Sequence, residues 1–224
     1  MKRRPMRELL DQDLGTSAEI AASLRDLRWF NRWFGGLSTT RRMLESVTRL
    51  TGRTRFTLLE VASGDGYLMH TIAGQLGRDG IQLDVTLLDR QPSHLPANGA
   101  MAKVSADALR LPFRESAFDL VSCSLFLHHL ALEQATEFAR EALRVCRIAV
   151  LVHDLIRHPL HLALAYAGAP LYRSRITRHD APASVWQAYT VPEVTNCFRE
   201  AGAAEVSATE QFLYRMGVVA QKPK

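Results

Sequence analysis

Apolar residues recur along this chain in two rhythms. The first has helical spacing. Trp29 and Trp33 fall on one face at i,i+4 with Phe30 and Phe34 beside them, and Gly35-Gly36 stops that helix. Met43, Leu44, Val47 and Leu50 predict a second helix from Thr39 to about Leu50, which Ser38 can cap. The second rhythm is a series of short apolar runs bounded by turns, which read as buried strands: Phe56 to Glu60, Ile81 to Leu88, Ala102 to Ser105, Ser116 to Cys123 and Ile148 to Val152. Helices are expected between them, from Tyr67 to about Leu76 and from about Leu132 to Val145. Thr190-Val191-Pro192-Glu193 is a capping-box signature for a helix that runs through Phe198 and stops at Gly202. Strands alternating with helices predict an α/β fold with a doubly wound sheet.

The first strand feeds the most informative stretch, Phe56-Thr-Leu-Leu-Glu-Val-Ala-Ser-Gly-Asp-Gly-Tyr67. A buried strand, a small-residue turn and a helix build a nucleoside crevice in an open α/β sheet. Gly64 and Gly66 let the backbone approach a ligand because no Cβ intervenes. A dinucleotide fingerprint needs a third glycine where Met69 stands. Glu60 would also repel a pyrophosphate, whereas it suits a ligand carrying an ammonium and a sulfonium. Asp89 closes the second strand 23 residues beyond Gly66, an offset at which an acid can grip ribose hydroxyls.

The form acid-x-small-x-Gly-x-Gly resembles the first motif of class I S-adenosylmethionine-dependent methyltransferases, with Ala62 where glycine is commonest. Two further stretches are similar to the same family. Asp107-Ala108, followed by Leu-Arg-Leu-Pro-Phe, stands where the adenine is met, and Phe118-Asp-Leu-Val121 opens the fourth strand. The resemblance implies a Rossmann-like sheet of seven strands with the last antiparallel, the segment from Val206 to Ala220 supplying the final pair. It implies S-adenosyl-L-methionine as cofactor and S-adenosyl-L-homocysteine as product. The cofactor would be held by Glu60, Ala62, Ser63, Gly64, Gly66, Asp89, Arg90, Asp107, Ala108, Cys123 and Ser124.

For catalysis His128 is the first candidate base. It follows the fourth strand, at a position similar to the catalytic histidine of plant-type small-molecule O-methyltransferases, although the stretch here is His-His-Leu. A histidine near its ordinary pKa could take the proton of a phenol. His153, at the end of the fifth strand, is second, with Asp154 beside it. Adjacent residues of an extended segment point opposite ways, which tells against that pairing. His158 and His161 invite a metal reading, but no third ligand shares their face, so no metal is expected.

Two segments lie outside the minimal fold. Residues 1–37 are expected to form a helical cap, and residues 155–189 an ordered lid over the crevice. Trp29, Trp33, Arg173, His179, Trp186 and Tyr189 are the expected acceptor contacts, the aromatic rings suiting an aromatic body and the arginine a carboxylate. The Trp29–Leu37 stretch resembles the entry segment of ubiquinone/menaquinone-biosynthesis methyltransferases, and the chain as a whole is similar to methyltransferases accompanying type III polyketide synthases. These resemblances imply O-methylation of a phenolic or polyketide-type small molecule. C-methylation of a quinone-precursor ring is the rival, followed by RNA or protein methylation and by a non-catalytic cofactor-binding module.

Composition narrows the partners. A chain of 224 residues, 47% hydrophobic, is large enough for one ordinary domain with a real core. The net charge of +5 is spread over the chain and not gathered in a basic stripe, so no nucleic acid is expected. No apolar run reaches the roughly 20 residues a bilayer span needs. The N-terminus lacks the apolar run of a secretory signal. Cys123, Cys146 and Cys197 are odd in number and far apart, which suits reduced thiols in the cytoplasm. The oligomeric state is left open, a homodimer being one form it can take.

Overall fold

The computed structural model describes residues 1–12, 14–96 and 101–223. Two helices come first, α1 (Ser17–Trp33) and α2 (Gly36–Thr51). The alternating part follows as β1 (Arg55–Val61), α3 (Tyr67–Arg78), β2 (Gln82–Asp89), β3 (Ala102–Ser105), β4 (Phe118–Ser124), α4 (Leu132–Val145) and β5 (Cys146–Leu155). Then come α5 (Pro159–Ala167), α6 (Arg175–Gln187), α7 (Val191–Glu200) and the hairpin β6 (Glu205–Gln211) and β7 (Arg215–Gln221). The seven strands form one sheet in the order β3-β2-β1-β4-β5-β7-β6. β7 is antiparallel to both β5 and β6, and the other pairings are parallel. This is the doubly wound, Rossmann-like arrangement that the alternation of strands and helices predicts.

Each face of the sheet has its own core, because side chains alternate along a strand. Val150 and Val152 of β5 join Phe138 of α4 and Phe198 of α7 on one face. Ala149 and Leu151 join Met43, Leu44 and Val47 of α2 and Ile72 of α3 on the other. Burying each such large side chain contributes about 1.5–3 kcal/mol. The same alternation sends His153 and Asp154 to opposite faces.

Several boundaries differ from expectation. α2 begins at Gly36 and not at Thr39, because Gly35 adopts φ 88° and turns the chain directly out of α1. Ser38 does not cap it; its hydroxyl donates to the carbonyl of Gly35 at 3.2 Å. β5 needs no turn before it and starts at Cys146, one residue after α4 ends. It also runs three residues beyond Val152, which carries His153 and Asp154 inside the sheet. The capping box at α7 is present, Thr190 N–H donating to Glu193 Oε2 at 2.7 Å. The expected N-terminal cap is helical only in part: before Leu10 the chain has no helix, and a single 3-10 turn, Leu10–Gln12, precedes α1.

Candidate active site

A cavity of about 1000 Å³ opens over the carboxyl ends of β1, β2, β4 and β5, where an open α/β sheet places its ligands. Its first half is built on the loop after β1. Ala62, Gly64 and Gly66 all take left-handed conformations, with φ of 53°, 51° and 69°. A Cβ on Gly66 would meet Leu87 Cδ1 at 2.6 Å, so only glycine lets α3 start against β2. The Gly64 N–H donates to Asp89 Oδ2 at 3.0 Å and Gln91 N–H to Asp89 Oδ1 at 3.0 Å. Asp89 therefore holds the loop shut as well as facing the cavity.

Glu60 lines this half and is 2% exposed. Burial pushes its carboxyl up to about 7, against the opposing hydrogen bond from the Ser122 hydroxyl. Among the described residues no cationic side chain pairs with it. The hydroxyl of Ser63, also buried in the lining, has no hydrogen-bond partner. An acid and a hydroxyl left in this condition fit a ligand that brings an ammonium group and further polar atoms. Ala62, Arg90, Asp107, Ala108 and Ser124 share the lining, whereas Gly66 and Cys123 do not reach it. α1 reaches across the loop, Arg28 Nε donating to Asp65 Oδ2 at 2.9 Å.

His128 sits in the second half of the cavity, in a short 3-10 turn after β4. Its Nδ1 donates to Asp154 Oδ1 at 2.6 Å, and its Nε2 faces Glu8 Oε1 at 3.5 Å. Glu8 Oε1 also accepts from Ser184 Oγ and Gln187 Nε2, each at 2.6 Å. Burial alone would lower the ring's pKa, but the two carboxylates overcome it and raise His128 to about 10. Burial likewise opposes the charge on Glu8, yet contact with His128 and His129 lowers it to about 2. The result is a buried imidazolium between two carboxylates. A protonated ring donates and does not accept, so the expected general-base role does not fit His128 in this state. Asp154, which the sequence suggested as a partner for His153, orients His128 instead.

Glu8 belongs to an N-terminal strap that the sequence did not mark. Arg3 donates to the carbonyls of Gln187, His128 and Leu130 at 2.6, 3.0 and 2.8 Å. The N–H groups of Leu9 and Leu10 donate to the two oxygens of Asp180 on α6. Nothing in the local pattern of residues 1–12 announces this; an acid and an arginine in a polar segment are normally solvated.

Residues 59–150, from the end of β1 into β5, match the family described as a methyltransferase domain. That segment is similar to methyltransferase domains. A Haemophilus influenzae protein described only as uncharacterized is 31% identical over 106 residues, covering 44% of this chain and 42% of that protein. The chain thus matches about two-fifths of the length of that curated relative. Among solved structures, the plantazolicin methyltransferase BpumL in complex with SAH aligns with a TM-score of 0.71 at 12% identity, covering 97% of this chain and 95% of that one. A SAM-dependent methyltransferase from Aquifex aeolicus aligns at 0.53 with 17% identity, over 80% and 89%. At these identities the structures bear on the fold, which is the class I methyltransferase fold. They do not single out the quinone-biosynthesis or polyketide-associated branches.

Around the matched segment, residues of α1, α5 and α6 close the second half of the cavity, but with other residues than those expected. Trp29 lines it, packed edge-on against Phe34 at 4.9 Å between ring centroids. Trp33, the last residue of α1, does not: it is 60% exposed. Arg173 points to solvent, and only its backbone N–H is used, donating to Asp26 Oδ2 at 2.9 Å. His179 pairs with Asp180 at 2.7 Å outside the lining. Trp186 packs under Arg4, and Tyr189 packs under Arg3 while its hydroxyl donates to Leu130 O at 2.7 Å. Both rings therefore secure the strap and not an acceptor. The lining comes instead from Leu24, Leu27 and Phe30 of α1, Leu164 and Ala165 of α5, Tyr172, and Val185 of α6.

His153 is also displaced from its expected role. It is fully buried on the α2 face of β5, outside the cavity lining, and neither ring nitrogen has a partner. Burial, aided by the charge of Arg215, lowers its pKa to about 3, so it stays neutral. His158 and His161, which the sequence placed on one helical face, both stack on Tyr214, and His158 Nδ1 accepts from Leu160 N–H. Glu8, His128 and His129 do bring ligand atoms within 4.8 Å of one another. Their hydrogen bonds are those of the ion-paired cluster, with His129 Nδ1 on Asp11 at 2.7 Å. No helix among the described residues is long and apolar enough to cross a membrane.

Proposed function

We propose that the protein transfers the methyl group of S-adenosyl-L-methionine to a small molecule, releasing S-adenosyl-L-homocysteine, and that the whole described chain works as one methyltransferase unit. The observation that carries this is the division of one cavity into two chemistries. Glu60, Ser63, Gly64, Asp89 and Asp107 line one half with acids and bare backbone, and α1, α5 and α6 line the other with aromatic and aliphatic groups.

When bound, the cofactor supplies an electrophilic methyl group on a sulfonium. The chain's own part is to hold and to exclude. Glu60 would pair with the ammonium group, and Asp89 and Asp107 would accept from hydroxyl and amino groups of the nucleoside. The strap, fixed by Glu8 and Arg3, and α5 with α6 would keep water from the acceptor half. Positioning of this kind supplies much of the acceleration in a direct displacement. O-methylation of an aromatic or polyketide-type acceptor is the reading favoured here, with His128 as the group that anchors the strap at the methyl-transfer end of β4. C-methylation of a quinone-type ring is the second reading.

The test is titration calorimetry with S-adenosyl-L-homocysteine, followed by transfer from methyl-labelled donor to phenols and to phenols blocked at oxygen. Binding of the product and labelling of the free phenols alone is expected. A protein that ignored both donor and product while binding a nicotinamide or flavin nucleotide would remove this reading. Labelling of the blocked phenols would favour the second.

A further inference from the structure

Arg215 opens β7 and is buried to 5% exposure, yet it lines the cavity. Its Nε and Nη1 have no hydrogen-bond partner, and no carboxylate forms an ion pair with it among the described residues. Its register explains how it comes to be there. Arg215 pairs with Leu155 at the carboxyl end of β5, two residues from the His153–Gly217 pair on the same face. Its Cγ would lie 3.5 Å from a Cβ on Gly35, so the guanidinium stem is packed at the α1–α2 junction. The amino end of α2, a helix of 16 residues, adds positive potential there.

The nearby titratable groups do not answer this charge. His161, also in the lining, is kept neutral with a pKa lowered to about 4 by burial first and then by the charge of Arg215, against the opposing hydrogen bond with the Ile156 carbonyl. His153 is neutral as well. Asp154 lies near enough to be felt electrostatically, but its oxygens are given to His128 and to the backbone N–H groups of His128 and Leu155. Glu8, Asp11 and Asp180 also reach the cavity lining, and each is engaged by the strap or by a histidine. An arginine nitrogen left buried without an acceptor costs about 1–3 kcal/mol, so a group that satisfies it is strongly favoured.

We propose that Arg215 is the anchor for an anionic acceptor: the second half of the cavity takes an apolar, ring-sized molecule carrying a carboxylate, which pairs with the guanidinium. The aliphatic and aromatic lining suits the body of such a molecule, and the planar fork of the guanidinium suits its two oxygens. Arg215 on β7 stands three strands from Glu60 on β1, so its guanidinium belongs to the wall opposite the loop after β1. Loss of affinity for S-adenosyl-L-homocysteine in Arg215→Met would show that the carboxylate of the donor takes this position, and would overturn the proposal. The word acceptor rests on the methyltransferase reading; the anion site does not.

The test uses the full chain saturated with S-adenosyl-L-homocysteine and two probes, 2-naphthoate and the neutral 2-naphthamide, compared by calorimetry. The wild-type protein should bind the acid at least about tenfold more tightly than the amide, as a charge-assisted pair implies. Arg215→Met should abolish that preference while leaving affinity for the amide and for S-adenosyl-L-homocysteine unchanged. Arg215→Lys, which keeps the charge, should retain part of it. Equal binding of the two probes by the wild-type protein, binding of neither, or an undiminished preference in Arg215→Met overturns the proposal. The wild-type comparison decides the matter even where a variant fails to fold. Failure of S-adenosyl-L-homocysteine to bind, with the preference for the acid intact, would sink the methyltransferase reading and leave the anion site standing.

Discussion

Replacing Glu60 by glutamine separates what the fold prefers from what the ligand requires. In the folded chain the Glu60 carboxyl titrates at about 7, against an ordinary 4.5, because it is buried where no cation reaches it. The fold thus prefers the neutral acid. Stability drawn from this group is present below 4.5 and is lost as pH rises through the folded value near 7, since over that interval the folded state binds more protons than the unfolded one. At about 1.4 kcal/mol per pH unit, the interval amounts to about 3 kcal/mol. Glutamine has nearly the same shape, can still accept from Ser122, and does not titrate. The difference in unfolding free energy between Glu60→Gln and the wild type should therefore rise by about 3 kcal/mol between pH 4.5 and pH 8. Any fixed cost of the extra amide N–H groups cancels in that rise. Urea unfolding of both proteins across this range measures it, and other titrating groups drop out of the comparison. The same variant should bind S-adenosyl-L-methionine at least about tenfold more weakly at pH 8, for want of a charged partner to the ammonium. A difference that stays flat with pH, or falls, would refute the assignment of a raised carboxyl at Glu60.

The remaining predictions concern the histidine cluster and the loop. His128, raised to about 10 from an ordinary 6.5, contributes stability that is complete below pH 6.5 and fades as pH climbs through 10. Its ring should stay protonated at pH 8 by NMR titration. Glu8→Gln should lower that value and expose the amides of residues 3–10 to faster hydrogen exchange, whereas a ring that titrates near 6.5 would contradict the cluster. Ala62, at φ 53°, sits where a Cβ costs about 1–2 kcal/mol. Ala62→Gly should raise stability in thermal unfolding by about 1 kcal/mol after glycine's own entropy is counted, and a loss of stability would show that the Ala62 methyl makes a contact worth more than the strain.

The sequence by itself determined what local pattern can carry. Helical spacing, a capping box and short apolar runs bounded by turns placed α1 to α4, α7 and β1 to β5, because each is set by neighbours within a turn or a pleat; α5 and α6 were expected only as an ordered lid, and β6 and β7 came with the family resemblance. The Glu60–Gly66 loop was legible for the same reason: its acid, its small residues and its glycines are contiguous, and their conformational needs follow from the presence or absence of a Cβ. Only the tertiary structure decided which charges meet. His128 finds Glu8 120 positions earlier and Asp154 26 positions later, and those contacts turn an expected base into a buried cation. Trp29 and Trp33 share a helical face in the sequence, but the fold sets one half-buried in the cavity lining and leaves the other in solvent. Arg215 was not among the expected site residues, since no local rule says that β7 will bring it into the cavity wall. Pairing and burial of a charge depend on groups distant in the chain, and their energies are set by the dielectric and the partners that folding assembles around them.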